Sequence, residues 1–279
     1  MTEKEKTEKR IGIIGVGNIG VSILRGLLAA GQEWKLFISD EKKEQLRSFV
    51  ADPDSESGVN VCDSNKEVAE NSEVVILAVK PNDVQRVAEE IADFMSKEKI
   101  LISVAAGVPT SAIEKHLGEG RKVIRVMPNI GARVGEAVSA ICKGESAKEE
   151  DEEVAKEILS TIGAVYSVKE ADMDVITGLS GSGIAFFATV IDAMADGGVC
   201  GGLSHDLSLM ISAKTAIGAA KMVLAGEKPH EIKAMTTSPG GTTIRGIYAI
   251  ESRDVKAAMM EAVIAATRRA REISKMQTK

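Results

Sequence analysis

The fold announces itself in Ile11-Gly-Ile-Ile-Gly15-Val-Gly17-Asn-Ile-Gly20. Ile11–Ile14 is a short β-rich run, and Val21–Ala30 continues with apolar residues at helical spacing until Gly31, a suitable C′ residue. Between them, Gly15, Gly17 and Gly20 fit GxGxxG. This motif carries weight when, as here, it follows a strand and opens a helix. Gly15 allows the tight turn, Gly17 lets the backbone approach a pyrophosphate, and Gly20 lets the helix pack on the strand. The helix start at Asn18 and Ile19 then offers unpaired N–H groups and a positive dipole to phosphate. The turn is expected to bind a dinucleotide.

Strand and helix alternate outward from this point. Lys35–Ser39, Val74–Val79, Ile100–Ala105, Lys122–Val126 and Ala164–Val168 read as strands; Glu41–Ala51 and Val84–Met95 read as helices. Such alternation predicts a mostly parallel sheet with helices on both faces, a Rossmann-type α/β domain. Asp40 lies 20 residues after Gly20, at the end of the second strand. A carboxylate there accepts the adenosine ribose 2′-hydroxyl and repels a 2′-phosphate, which favours NADH. Lys42 and Lys43 pull towards NADPH, and Asp40 also stands where it would cap the helix starting at Glu41. Ala78-Val79-Lys80-Pro81-Asn82 and Ser103–Gly107, including Ala105, follow strands at the edge where such sheets bind ligands, so both should border the nicotinamide. Lys80 reads equally as a holder of phosphate or carboxylate and as a solvated surface lysine.

Composition narrows the choice. The 279 residues allow about two domains at roughly 150 residues each. One Trp, two Tyr and five Phe leave few platforms for base stacking, and a net charge of −6 gives no overall basic field, so nucleic acid is not an expected partner. Met1–Arg10 is a polar tail without the apolar centre of a secretory signal. Cys62, Cys142 and Cys200 form no CxxC pair or disulfide framework. They are expected as small buried side chains in a cytoplasmic protein, and no metal site is expected. The longest apolar stretch, Ile184–Ala195, is too short for a membrane span of about 20 residues.

After Lys169 the strands cease. Ile184–Asp196, His205–Ala225, Ile244–Ile250 and Val255–Met276 read as helices with Ala, Met, Ile and Val on their apolar faces. The expected organisation is a tail at 1–10, a Rossmann domain at 11–168 and an all-α domain at 169–279. Ile184–Ala195 is apolar almost all round and must be buried on every side. A unit of this size encloses such a helix most simply against a second copy, which predicts a homodimer. Ser238-Pro-Gly240-Gly241-Thr242-Thr243 precedes a helical run. It reads as a capping turn or as an anion nest of backbone N–H groups; a nicotinamide enzyme needs a substrate site, which favours the nest. None of His116, His205 and His230 lies in a recognisable motif. That suits imine reduction, where a protonated C=N is already electrophilic and mainly needs to be held in place.

Beyond GxGxxG, the chain carries Ala78-Val-Lys-Pro81, Ala105-Ala-Gly-Val108, Arg125-Val-Met-Pro-Asn129, Thr177-Gly-Leu-Ser-Gly-Ser-Gly183, Ala195-Asp-Gly-Gly-Val199, Gly218-Ala-Ala-Lys-Met222 and Ser238–Thr243. With these motifs it resembles the pyrroline-5-carboxylate reductase family over essentially its whole length after residue 10. The resemblance implies NADPH- or NADH-dependent reduction of L-1-pyrroline-5-carboxylate, the last step of proline synthesis. It implies a Rossmann domain, a helical dimerisation domain that interlocks with a second copy, and assemblies up to decamers. It implies that Thr243 hydrogen-bonds the ring nitrogen, and that Ser238, Gly240, Gly241 and Thr242 with Thr243 hold the carboxylate. Asn65 falls where the family places a residue near the adenosine phosphate or ribose. Ile184, Phe186 and Ile130-Gly131 depart from the family pattern and leave room for a related cyclic imine acid or a non-catalytic dinucleotide sensor. A β-hydroxyacid dehydrogenase-like enzyme is disfavoured, because no lysine follows Gly183 at the required spacing.

Overall fold

A computed structural model describes residues 9–31, 34–44, 46 and 58–277. By contact the chain divides into two compact units, residues 1–181 with 266–279, and residues 182–265.

The first unit is built on eight strands: β1 (Lys9–Ile14), β2 (Trp34–Ser39), β3 (Val59–Val61), β4 (Val74–Leu77), β5 (Ile100–Ser103), β6 (Lys122–Met127), β7 (Ala137–Lys143) and β8 (Gly163–Ser167). Their order is β3-β2-β1-β4-β5-β6-β7-β8. All neighbours run parallel except β6 and β7. The first six strands have the doubly wound order, with the switch point between β1 and β4. The expected α/β sheet is present, with two strands that the sequence pattern did not reveal. β3 has only three residues, too few to show a period. β7 is joined to β6 by a short helical turn, Ile130–Val134, rather than by a full crossover helix. Lys9 and Arg10 belong to β1, not to the tail; Met1–Glu8 and most of the expected helix Glu41–Ala51 lie outside the described residues.

Strand alternation divides the core in two. Ile11, Ile13, Ile76, Ile102 and Ile124 point to one face, where they meet Ile23, Leu24 and Leu27 of α1 (Asn18–Ala29). Ala155, Ile158 and Leu159 of the acidic-fronted helix Glu149–Ser160 complete that side. Ile14, Val75, Leu77, Leu101 and Val123 point to the other face. There they meet Val68 of α2 (Asn65–Asn71), Val87 and Ile91 of α3 (Val84–Ile91), and Ile113 of α4 (Thr110–Leu117). Each of the Val, Leu and Ile side chains contributes about 1.5–3 kcal/mol by leaving water. Helix α1 ends as its sequence predicts: Ala30 caps it and Gly31 turns left-handed at φ 63°.

An ion pair with a buried guanidinium anchors β6. Arg125 on β6 has a side chain only 4% exposed and lies 3.2 Å from Glu170 Oε1. Thr110 donates to the same carboxylate through its N–H (2.8 Å) and its hydroxyl (2.9 Å), so Glu170 also caps α4. Cys142, paired with Arg125 in the β-ladder, is buried, and desolvation pushes its thiol up to about 12. Burial, with Glu67 and Asp63 adding, raises Cys62 to about 11. Cys200 departs from expectation: it is exposed in the single chain.

The second unit is helical: Gly183–Cys200, His205–Leu224, Pro229–Thr236, Thr242–Glu251 and the first half of Val255–Gln277. No strand follows Ser167 among the described residues. Helix Gly183–Cys200 packs along His205–Leu224, where Gly198 faces Ser208 so closely that a Cβ would lie 2.6 Å from its hydroxyl. Otherwise these helices are bare. In Gly183–Cys200 only Gly183 and Ala195 are buried, so the all-round burial expected of Ile184–Ala195 is not met within one chain. Phe187, Met194, Leu207, Met210 and Ile211 are exposed. The expectation that no stretch is long enough for a membrane span is also corrected. Glu170–Cys200 and His205–Leu224 are long and apolar enough to cross one by length and composition, a test that packed helices of soluble proteins also pass.

Glu170→Ala should leave the Arg125 guanidinium buried without a counter-charge and cost about 3 kcal/mol. Urea unfolding followed by circular dichroism should show a lowered midpoint, partly recovered in Glu170→Gln, which keeps a hydrogen-bonding group facing Thr110.

Candidate functional site

The site of the first unit lies where the sheet reverses its strand order. Gly15 follows β1 with φ 95°, and a Cβ there would lie 2.7 Å from the Ala78 carbonyl oxygen. Only glycine accepts both the angle and the space. Gly15 N–H donates to the Ser39 carbonyl (2.9 Å) and Ala78 N–H to that of Ile14 (2.8 Å), so the ends of β1, β2 and β4 are stitched together at the turn. Gly20 packs against the Gly15 carbonyl in the first turn of α1. Gly17 and Asn18 are exposed, and nothing lies within 4 Å of where a Gly17 Cβ would be. Gly17 is also the N-cap of α1 and no side chain caps it, the arrangement in which a helix start can accept an anion.

Beside the turn is a cleft of about 230 Å³. It brings together seven of the expected cofactor residues: Gly15, Gly17, Asp40, Asn65, Ala78, Val79 and Lys80. Five others lie outside its lining. Asn18 borders a second groove of about 630 Å³ that shares Gly17. Ile19 packs against the core, Gly20 sits under the turn, Pro81 starts a short helical turn and Ala105 is buried.

Two of the gathered residues are already engaged. Asp40 accepts the Val16 N–H through Oδ2 and the Lys42 N–H through Oδ1, each at 2.7 Å. The carboxylate therefore fastens the glycine turn to the end of β2. Asn65 accepts the Ser39 hydroxyl (2.8 Å) and donates to Glu90 (2.9 Å). Lys80 is exposed and has no ion pair among the described residues. The cleft also holds Glu41, Asp83 and Arg86, which sequence reasoning missed. Arg86 pairs with Glu41 and lies 3.5 Å from Asp83. Only the i,i+3 spacing of Asp83 and Arg86 was visible in sequence; Glu41 is 45 residues away.

Asn129 of the Arg125–Asn129 motif is buried and fully satisfied. Its Oδ1 accepts the N–H groups of Gly131 (3.1 Å) and Val138 (3.3 Å), and its Nδ2 donates to the Ser180 hydroxyl (2.9 Å). Ser180 lies in a π-helical turn, Thr177–Gly181, so one amide joins two of the chain's distinctive motifs.

In the second unit, Ser238, Gly240, Thr242 and Thr243 are exposed, with Gly241 half-buried. Gly240 is left-handed (φ 70°), and Gly241 N–H donates to the Ser238 carbonyl at 3.0 Å. Gly241 is the N-cap of helix Thr242–Glu251, with no side-chain cap. The Gly241 N–H is thus engaged within the loop, while no side chain caps the helix that starts at Thr242. His205 is the exposed first residue of its helix. No group of metal-binding side chains occurs among the described residues.

Residues 170–273 match the family model described as pyrroline-5-carboxylate reductase dimerisation, and residues 10–107 match NADP oxidoreductase coenzyme F420-dependent. The pyrroline-5-carboxylate reductase of Methanosarcina acetivorans is 42% identical over 96% of this chain and 98% of that protein. The enzyme of Arabidopsis thaliana is 41% identical over 95% of each. Among solved structures, a pyrroline-5-carboxylate reductase from Coxiella burnetii superposes with a TM-score of 0.87 at 31% identity, covering 96% of this chain and 99% of that one. The Plasmodium falciparum pyrroline carboxylate reductase, solved with NADP bound, gives 0.83 at 29% identity, covering 96% and 99%.

Asp40→Ala should release the Val16 N–H and loosen the glycine turn. Affinity for NADH should fall about tenfold, the value of one charge-assisted hydrogen bond, and that for NADPH should fall less, because the change also removes a carboxylate that repels a 2′-phosphate. Fluorescence titration of the two nucleotides measures this.

Proposed function

The chain belongs to the pyrroline-5-carboxylate reductase family, and from that premise we propose that it reduces the C=N bond of L-1-pyrroline-5-carboxylate to give L-proline, with NADPH or NADH as reductant. The observation that carries this reading is the pairing of two prepared anion sites on one chain: the uncapped start of α1 at Gly17 and the uncapped helix start at Gly241.

The residues of the first site suit a dinucleotide. Gly15, Gly17, Asn18, Ile19 and Gly20 would hold the pyrophosphate, with Asp40 and Asn65 towards the adenosine, and Ala78, Val79, Lys80, Pro81 and Ala105 towards the nicotinamide. The reduced nicotinamide supplies hydride. The protein's task is to hold and orient the imine. The N–H groups of Thr242 and Thr243, with Gly240 and Gly241 shaping the loop and Ser238 adding a hydroxyl, would take the substrate carboxylate. The Thr243 hydroxyl would hydrogen-bond the ring nitrogen, keeping the protonated C=N oriented for transfer. No strong base is required, which fits a loop of hydroxyl and glycine residues.

The helical region, taken functionally as 169–279, serves as the dimerisation domain. Its exposed Phe187, Leu207, Met210 and Ile211 form the kind of surface that an obligate partner covers. We assign that partner as a second copy rather than a lipid bilayer, with decamers as the larger assembly. The free thiols fit a reducing cytoplasm.

NADH and NADPH oxidation with L-1-pyrroline-5-carboxylate should be measurable in the wild type. In Thr243→Ala, kcat/KM should drop by about 10–100-fold through loss of one oriented hydrogen bond; nucleotide binding without turnover in the wild type would favour the sensor reading. Light scattering in detergent-free buffer should give at least twice the chain mass of 29.5 kDa. A monomer under those conditions would refute the second-copy assignment.

A further inference from the structure

We propose that Glu41 and Arg86 form a filter for the 2′-position of the cofactor's adenosine ribose: Arg86 is the cation that receives a 2′-phosphate, and Glu41 is the anion that this phosphate must displace. The inference rests on the reading of the cleft as a dinucleotide site and assigns its outer wall.

The placement is the first argument. Glu41 follows the end of β2 and Arg86 lies in the first turn of α3, so their ion pair spans the cleft from one side to the other. The commitments of their neighbours are the second. Both oxygens of Asp40 are held by backbone N–H groups, and the amide of Asn65 is shared between Ser39 and Glu90. These two side chains are fixed in place, whereas the Glu41–Arg86 pair can rearrange. Its members are 73% and 54% exposed, and an ion pair so open to water contributes little and exchanges partners readily.

The chemistry of the pair is the third argument. A guanidinium presents a planar fork that binds a phosphate monoester through two hydrogen bonds, which a lysine cannot match. Asp83, 3.5 Å from the same guanidinium, keeps Arg86 at the cleft mouth after Glu41 is displaced. A ribose with a free 2′-hydroxyl leaves the pair closed. A ribose 2′-phosphate carries about two negative charges to a place bordered by Asp40 and Glu41, and gains Arg86 only by expelling Glu41. Selectivity is thus set by the competition between Glu41 and phosphate for one guanidinium.

The test needs no substrate. The full-length chain is titrated calorimetrically with adenosine 2′,5′-bisphosphate and with 5′-AMP, which differ only in the 2′-phosphate. Glu41→Gln should tighten the bisphosphate about fivefold, and Arg86→Gln should weaken it about tenfold, the scale of a charge-assisted contact at a partly exposed site. Arg86→Lys should restore part of that loss. Binding of 5′-AMP should change less than about twofold in every variant, since these side chains face only the 2′-position. Equal shifts for both nucleotides, or bisphosphate affinity that is unchanged by Arg86→Gln, overturn the proposal. Failure to reduce the imine would not imitate either result, because no imine is present.

Discussion

The carboxylate of Asp40 is the point on which the site depends. It receives one N–H from the glycine turn and one from the segment that follows β2. Without it, the turn after β1 would keep the bonds from Gly15 N–H to the Ser39 carbonyl and from Ala78 N–H to the Ile14 carbonyl, but lose the one at Val16. With it, the turn that leads into α1 is also tied to the end of β2, beside the cleft. A residue expected to read the ribose thus also builds the wall it would read from. The two roles are compatible, because a carboxylate oxygen accepts more than one hydrogen bond.

Charge around the cleft is balanced rather than biased. Asp40, Glu41 and Asp83 face Lys42, Lys80 and Arg86 across a small space. Such a site is tuned by which pairs are closed, not by its overall sign. At the other end of the sheet, Arg125 and Glu170 show the opposite regime. There a guanidinium is almost wholly buried, its partner also caps a helix, and the pair cannot rearrange without a large cost. The Arg125 guanidinium is buried, whereas the Glu41–Arg86 pair stands open to water, and the difference between them is exposure.

The helical unit follows the same economy of position. Its apolar residues are spread around Gly183–Cys200 and His205–Leu224 instead of forming one stripe, and one chain covers only a small part of them. By length and composition alone these helices resemble membrane spans. They lie within the stretch that matches a family model described as a dimerisation domain. The lesson is that an apolar helix reveals its need for burial, while the occupant is decided by the rest of the molecule.

Much of this was legible in the sequence, because the signals are local. A strand, three glycines and a helix start follow one another between Ile11 and Ala30, and backbone sterics leave that order few conformations. The alternation of apolar runs marked five further strands, and the residue types of the Ser238–Thr243 loop marked a turn at a helix start. Other features were decided only by tertiary structure. β7 runs antiparallel because a short turn at Ile130–Val134 joins it to β6, and no periodicity records direction. Asn129 meets Ser180 across 51 residues, and Arg86 meets Glu41 across 45. Side chains so far apart in the chain become neighbours only when the strands beneath them take their places in the sheet, and that order is a property of the packed core as a whole.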